Sequence, residues 1–251
     1  MLTNIPYNHP RAGSLHIREM LVEGLRNGIV AHEGLIAHGR GEAFDYLIGE
    51  KTTKEAVKAM KSAVALMLLA ERKTISVNGN TACLCAKEIV ELAEVTVARI
   101  EVNLFHRSVK RETAIEKLLI ANGAKNILGV DSRTSVNIPK LMSDRRRVDP
   151  EGIYEADVVL IPLEDGDRTE ALVNMGKNVI TIDLNPLSRT ARKANMTIVD
   201  NVIRVMPKMI ELAKQMKKMN KSKLKRITHN FDNKKNLAIS LQCILNGLKA
   251  N

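Results

Sequence analysis

The chain has 251 residues, 45% hydrophobic and 27% charged, with 2% aromatic side chains and no Trp; this is ordinary globular composition and argues against disorder. Its formal net charge of +11 would suggest a nucleic-acid partner, but residues 214–251 hold ten Lys/Arg against the single acid Asp232, while residues 1–213 hold 29 bases against 27 acids. The body is therefore nearly neutral, no apolar run approaches the ~18–20 residues of a membrane span, and three cysteines (Cys83, Cys85, Cys243) do not make a disulfide framework.

The opening MLTNIPYNHP has no charged region followed by an apolar stretch, so secretion is not indicated and a cytoplasmic protein is expected. Ser14 is placed to cap a helix over LHIREMLVEGLRN that stops at Gly28. A short helical piece around Leu35 leads into HGRGEAFDYLIG. Thr52 or Thr53 then caps a long helix, KEAVKAMKSAVALMLLAER, with one apolar stripe. From there the pattern alternates. Strands are expected at 74–79, 97–105, 125–131, 156–163, 178–184 and 196–200, and helices over TACLCAKEIVELAE, 108–123 (cap Ser108, stop Gly123), 165–176 and 190–195. Residues 201–219 make a further helix that Pro207 either starts or kinks. NKSKLKRITHNFDNKKN is polar and basic, and LAISLQCILNGLKAN closes the chain as a short amphipathic helix.

Strand–helix alternation with Val/Ile-rich strands specifies an α/β fold: a Rossmann-like, mostly parallel sheet preceded by a helical N-terminal segment. The expected division is a helical segment over 1–72, a nucleotide-binding core over 73–219 and a basic extension over 220–251.

Several chemistries fail on spacing. There is no G-x-x-x-x-G-K-[ST] phosphate loop, no G-x-S-x-G elbow and no H-E-x-x-H. Gly39-Arg40-Gly41 lacks the third glycine of a dinucleotide fingerprint and lies in a helical context, which excludes a nicotinamide-dependent oxidoreductase on that signature. The six histidines are scattered, and Cys83-x-Cys85 is too tight for a metal knuckle, so no protein metal site is expected. Arg145-Arg146-Arg147 reads as a solvated charge run.

In a parallel sheet the ligand lies beyond the carboxyl ends of the strands. Those ends carry Asn78-Gly79-Asn80-Thr81, the run Leu163–Glu170, the run Asp183–Thr190, and Asp200-Asn201. Each has a structural reading too: Asn78-Gly79 is a turn dipeptide, Asp167-x-x-Glu170 a capping box, Asp200-Asn201 a helix cap. The segment DLNPLSRTAR is harder to explain by structure alone. Arg189 and Arg192 suit phosphate, and Asp183 and Asn185 suit a ribose or base. Arg18 and Arg40 lie on elements patterned for burial, where an arginine needs an anionic partner; that partner is either a phosphate or a nearby Glu19 or Glu42.

The segments IPYNHPRAGSLHIREMLVEGLRNGI, GLIAHGRGEAFDYLIGEKTT, ISVNGN, EVNLFHR, GAKNILGVD, ADVVLIPLEDGDRTEALVNMGKNVITIDLNPLSRTAR and TIVDN together resemble the archaeal-type phosphopantothenate synthetases, the 4-phosphopantoate–β-alanine ligases. They span residues 5 to about 213, and the tail lies beyond the likeness. The resemblance implies a homodimeric enzyme joining 4-phosphopantoate to β-alanine at the expense of ATP, with Mg²⁺, through an acyl adenylate, on the route to coenzyme A. Carried over residue by residue, it puts ATP on Arg18, Arg40, Asp183, Leu184, Asn185, Arg189, Thr190, Asn201 and Val202, with Arg18, Arg40 and Arg189 clamping phosphates. Asn78, Asp165 and Arg168 are then candidates for the phosphopantoate and β-alanine contacts. The competing reading is a nucleic-acid-binding protein that uses the basic tail; six aromatics in the whole chain speak against it.

Overall fold

The Val/Ile-rich runs pair in one direction, as strands apolar on both faces do when helices cover them. The computed structural model describes residues 8–9, 11–130 and 134–249; the parts of the quoted segments on residues 5–7, 10 and 131, most of MLTNIPYNHP and the last two residues lie outside these. The strands are β1 (Lys73–Val77), β2 (Arg99–Val102), β3 (Ile127–Leu128), β4 (Val136–Asn137), β5 (Arg147–Val148), β6 (Val158–Pro162), β7 (Asn178–Ile182) and β8 (Met196–Ile198). Six of them form a parallel sheet in the order β3-β2-β1-β6-β7-β8, and β4 and β5 make a small antiparallel ribbon. This is a Rossmann-like order. The winding reverses between β1 and β6, which opens a crevice beyond their carboxyl ends.

The helices are α1 (Ala12–Arg26), α2 (His32–Leu47), α3 (Lys54–Leu69), α4 (Gly79–Thr96), α5 (Val109–Ala121), α6 (Gly166–Asn174), α7 (Arg189–Lys193), α8 (Val202–Met216), α9 (Lys221–His229) and α10 (Asn233–Lys249). Alternation along the strands divides the core between the two faces. Val158, Leu160, Ile180 and Ile182 join the large cluster under α3, α4 and α8. Val159, Ile161 and Val179 join a smaller one with Leu172 and the 138–156 connection.

Local chemistry sets most boundaries. Thr53 caps α3 by accepting from the Ala56 amide (3.1 Å), and Ser108 caps α5 by accepting from Arg111 (3.3 Å). Ser14 does not cap α1. That helix begins at Ala12, and the Ser14 hydroxyl donates back to the Arg11 carbonyl, 3.2 Å away. The strand expected over 125–131 shrinks to β3, ended by Gly129 at φ +79°. β2 stops at Val102, and β8 stops at Ile198 as the Asp200 amide turns back to that carbonyl. Pro207 sits inside α8 rather than at its start.

α2 is one continuous 16-residue helix that joins the short helical piece expected around Leu35 to the helical stretch holding Gly39-Arg40-Gly41. Its two buried residues are acids, Glu42 and Asp45, which is why apolar periodicity does not show its full length. Glu42 accepts from Arg18 and Tyr46, and Asp45 from Asn201 and Arg204. Burial opposes ionisation of Glu42, but these bonds and the Arg18 charge outweigh it and hold the carboxyl below its ordinary range.

The basic tail folds onto the body. Leu224 of α9 enters the large cluster, Ile244 of α10 packs with Ile48 and Leu184, and Leu237 packs with Ala191 and Val199. Its asparagines finish the sheet edge. Asn233 accepts from the Thr197 amide (2.9 Å), and Asn236 donates to the Thr197 carbonyl (2.8 Å), so edge strand β8 is not left open.

Close approach dictates glycine at position 152. Gly152 lies in the tight turn Pro150–Tyr154, and a Cβ there would run into Glu101 Oε2, a buried carboxylate oxygen. Gly152→Ala should therefore lower unfolding free energy by about 1–3 kcal/mol in urea titrations, since neither the turn nor Glu101 has room to withdraw.

Candidate active site

A cavity of about 810 Å³ lies at the reversal between β1 and β6. Its wall is built by α2, by the turns after β1, β6, β7 and β8, by Leu104–His106, and by Arg111 and Arg145 from farther along the chain. Among the described residues, four helix N-termini with a side-chain cap end at it: α4 capped by Asn78, α6 by Asp165, α7 by Ser188 and α8 by Asn201. Such ends present backbone N–H groups and partial positive charge, the equipment of an anion site.

On the β7 side, Asp183 Oδ1 accepts from the Asn185 amide (2.9 Å), and its Oδ2 accepts from the Ser188 hydroxyl. Burial pushes the Asp183 carboxyl up, with those two bonds and the Arg40 charge working the other way. Leu184 lines the cavity and packs against Ile48. Thr190 donates to the Glu164 carbonyl (2.9 Å), tying the two turns together. Asn201 donates to Asp45 (2.8 Å), and Val202 is buried beside it. Behind them Arg204 bridges Asp45 and Asp200, and Thr52 donates to Asp200 (2.6 Å).

The arginines divide into distinct situations. Arg40 lines the cavity and, among the described residues, has neither a hydrogen bond nor an ion pair. Arg189 lines it too and pairs with Asp167 and Glu170, the two acids of the expected capping box; Asp165 is the actual cap, accepting from the Arg168 amide at 2.8 Å. Gly166 leaves space for the Arg189 side chain, which a Cβ would meet at 2.6 Å. Arg18 does not line the cavity; its Nη2 meets Glu42 at 2.8 Å, the local ion pair weighed as an alternative. Arg192 does not line it either.

Asn78 uses all its side-chain groups in the wall. It donates to the Pro162 and Leu163 carbonyls (2.9 and 3.1 Å), stitching the ends of β1 and β6, and accepts from Thr81. Arg168 is fully buried behind the cavity, bonded to Ser76 Oγ (3.1 Å) and paired with Glu164 at 2.6 Å. Burial pushes its pKa down to about 10.

Arg145 was expected on a solvated charge run, and the structure corrects this. It is buried, ion-paired to Glu164, 3.4 Å from Asp165 Oδ2, and stacked over Phe105 at 5.8 Å. Burial, then the neighbouring charge of Arg168, pushes its pKa down to about 9. Its Nε makes no hydrogen bond. Arg111 also reaches the cavity, donating to the carbonyls of His106 and Ile29. Neither follows a strand of the parallel sheet, so strand ends do not point to either.

The family model for phosphopantothenate/pantothenate synthetase matches residues 55–247. The 4-phosphopantoate–beta-alanine ligase of Thermococcus kodakarensis is 53% identical over 238 residues, covering 94% of this chain and 90% of the relative. The protein of the same name from Methanosarcina mazei is 51% identical over 248 residues, covering 99% of this chain and 97% of its own length. The Thermococcus onnurineus protein of that name is 54% identical over 237 residues, 94% of this chain and 90% of the relative. A match over most of the chain, with half of all positions identical along nearly its full length, shows that the chain belongs to the phosphopantothenate/pantothenate synthetase family.

Proposed function

We propose that this protein condenses 4-phosphopantoate with β-alanine, using ATP and releasing AMP and diphosphate, in coenzyme A biosynthesis. The observation that carries the reading is the meeting of Arg40, Arg145 and Arg189 with four helix N-termini in one cavity. Two anionic substrates have to be brought together there, and fixed positive groups that need no reorganisation lower the cost of doing so.

In this mechanism a carboxylate oxygen of 4-phosphopantoate attacks the α-phosphorus of ATP, and the bond to the β-phosphate oxygen breaks to release diphosphate. The uncharged amine of β-alanine then attacks the acyl carbon and AMP leaves with the electron pair. No protein nucleophile takes part. Arg40 and Arg189 hold the triphosphate, with Arg18 joining them where a phosphate competes with Glu42 for its guanidinium. Asp183, Leu184, Asn185, Thr190, Asn201 and Val202 hold the nucleoside side. Asp165 faces the acid substrates, Asn78 holds the wall beside them, and Arg168 acts on them through Glu164. Mg²⁺ arriving with the nucleotide would be held chiefly by phosphate oxygens and would offset their charge; Asp165 is turned to Arg145, 3.4 Å from its Oδ2.

We further propose a homodimer in the cytoplasm. Support comes from α2, which buries two acids and leaves Ile36 75% exposed beside the cavity; a second copy would cover it. Among the described residues no helix is long and apolar enough to cross a membrane. Chromatography of a reaction with all three substrates tests the activity: AMP and the amide product should appear together. Release of ADP, or equal turnover of unphosphorylated pantoate, would contradict the proposal.

A further inference from the structure

The connection from β3 to β6 carries Arg145 into the cavity, and one face of β2 and its continuation holds that connection. Ile100, Val102 and Leu104 are buried in the large core cluster. Arg99 and Glu101 alternate with them on β2 and point the opposite way, and Asn103, Phe105 and Arg107 follow on the irregular segment beyond it. All five touch the connection. Arg99 donates to the Glu151 carbonyl. Glu101 accepts from the amides of Asp149 (3.0 Å) and Ile153 (2.6 Å). Asn103 donates from Nδ2 to the carbonyls of Arg145 (3.2 Å) and Arg147 (3.0 Å). Phe105 lies under the Arg145 guanidinium, and Arg107 donates to the Arg147 carbonyl at 3.3 Å.

Glu101 and Asn103 are wholly buried, and neither lines the cavity. For stability alone they are expensive choices. Burial raises the Glu101 carboxyl to about 7, against the pull of its two amide bonds and the Arg168 charge, and Asn103 Oδ1 has no hydrogen-bond partner. What they secure is the backbone on which Arg145 stands. Asn103 grips the Arg145 carbonyl itself, and Glu101 fixes the turn that follows.

We propose that Glu101 and Asn103 are positioning residues that hold the Arg145 guanidinium toward the reacting phosphate and carboxylate. The inference rests on the reading of this cavity as the adenylating site. It is tested by a double-mutant cycle on ATP–diphosphate exchange with Asn103→Ala, Arg145→Lys and the pair. Asn103→Ala should lower kcat roughly 10-fold or more while KM for ATP stays within about 2-fold, and the pair should be no slower than Arg145→Lys alone, as expected of coupled residues. Losses that multiply, or an Asn103→Ala enzyme as fast as wild type, would overturn the proposal. Should Asn103→Ala lose its cooperative melt, Asn103→Leu replaces it in the cycle, because it keeps the side-chain volume and removes only the Nδ2 donor to the Arg145 and Arg147 carbonyls; the same non-additivity is expected and the same multiplication would refute it. A wild-type enzyme without exchange activity would instead overturn the functional reading, and this inference with it.

Discussion

Arg145→Met should reduce adenylate formation by roughly 10²-fold or more, the scale seen when one fixed donor to a developing charge is removed. The guanidinium is enclosed by Glu164, Asp165 and Phe105, with Arg168 close enough to weaken its hold on a proton. A buried cation in that position gains from each anion that arrives, and more from a transition state in which negative charge moves onto phosphoryl oxygens. Glu164 keeps its second partner, Arg168 at 2.6 Å, so the wall survives the substitution. Arg145→Lys should remain close to Arg145→Met in kcat, because an ammonium cannot span two carboxylates and an incoming oxyanion with a planar fork. Exchange rates beside thermal melts check this: a variant that melts near wild type yet turns over slowly places the loss in chemistry. Turnover within a few-fold of wild type would remove Arg145 from the mechanism.

Arg40→Ala should raise KM for ATP about 10- to 100-fold, the equivalent of a charge-assisted hydrogen bond worth about 1.5–3 kcal/mol. Its folded-state stability should stay within about 0.5 kcal/mol of wild type, because among the described residues Arg40 makes no hydrogen bond or ion pair and acts only through its charge, the weakest of the influences on Asp183. Arg18→Ala offers the contrast. Arg18 is bonded to Glu42 through Nε and Nη2, so its removal strands a largely buried carboxylate and lowers stability as well as activity. Steady-state kinetics and urea unfolding on the two variants separate the roles. Equal destabilisation in both would contradict the assignment of Arg40 to the ligand.

Much of the fold was legible because strand runs such as ADVVLIPL and NVITIDL are apolar on both faces, which only a helix-covered parallel sheet accommodates. The same logic located the Asp183–Thr190 and Asn201 turns at the cavity, since they follow strands. Three features escaped for physical reasons. The unbroken length of α2 is one, since its buried Glu42 and Asp45 give no continuous apolar stripe. The polar stretch before α10 pairs Asn233 and Asn236 with an edge strand, a role that composition cannot distinguish from solvated tail. Arg145 reaches the cavity from a connection of irregular structure, held by side chains some forty residues earlier. A signal for it did exist, in the period-2 polar face Arg99, Glu101, Asn103 and Arg107. Such a face on a strand of a helix-covered sheet has to meet a polar partner.

The most direct measurement is isotope exchange between labelled diphosphate and ATP, with 4-phosphopantoate present and β-alanine withheld. The adenylate mechanism requires label to enter ATP under those conditions, and requires it to stop when 4-phosphopantoate is omitted. No exchange until β-alanine is added, or phosphate and ADP as products, would contradict the assignment of this cavity to acyl-adenylate formation.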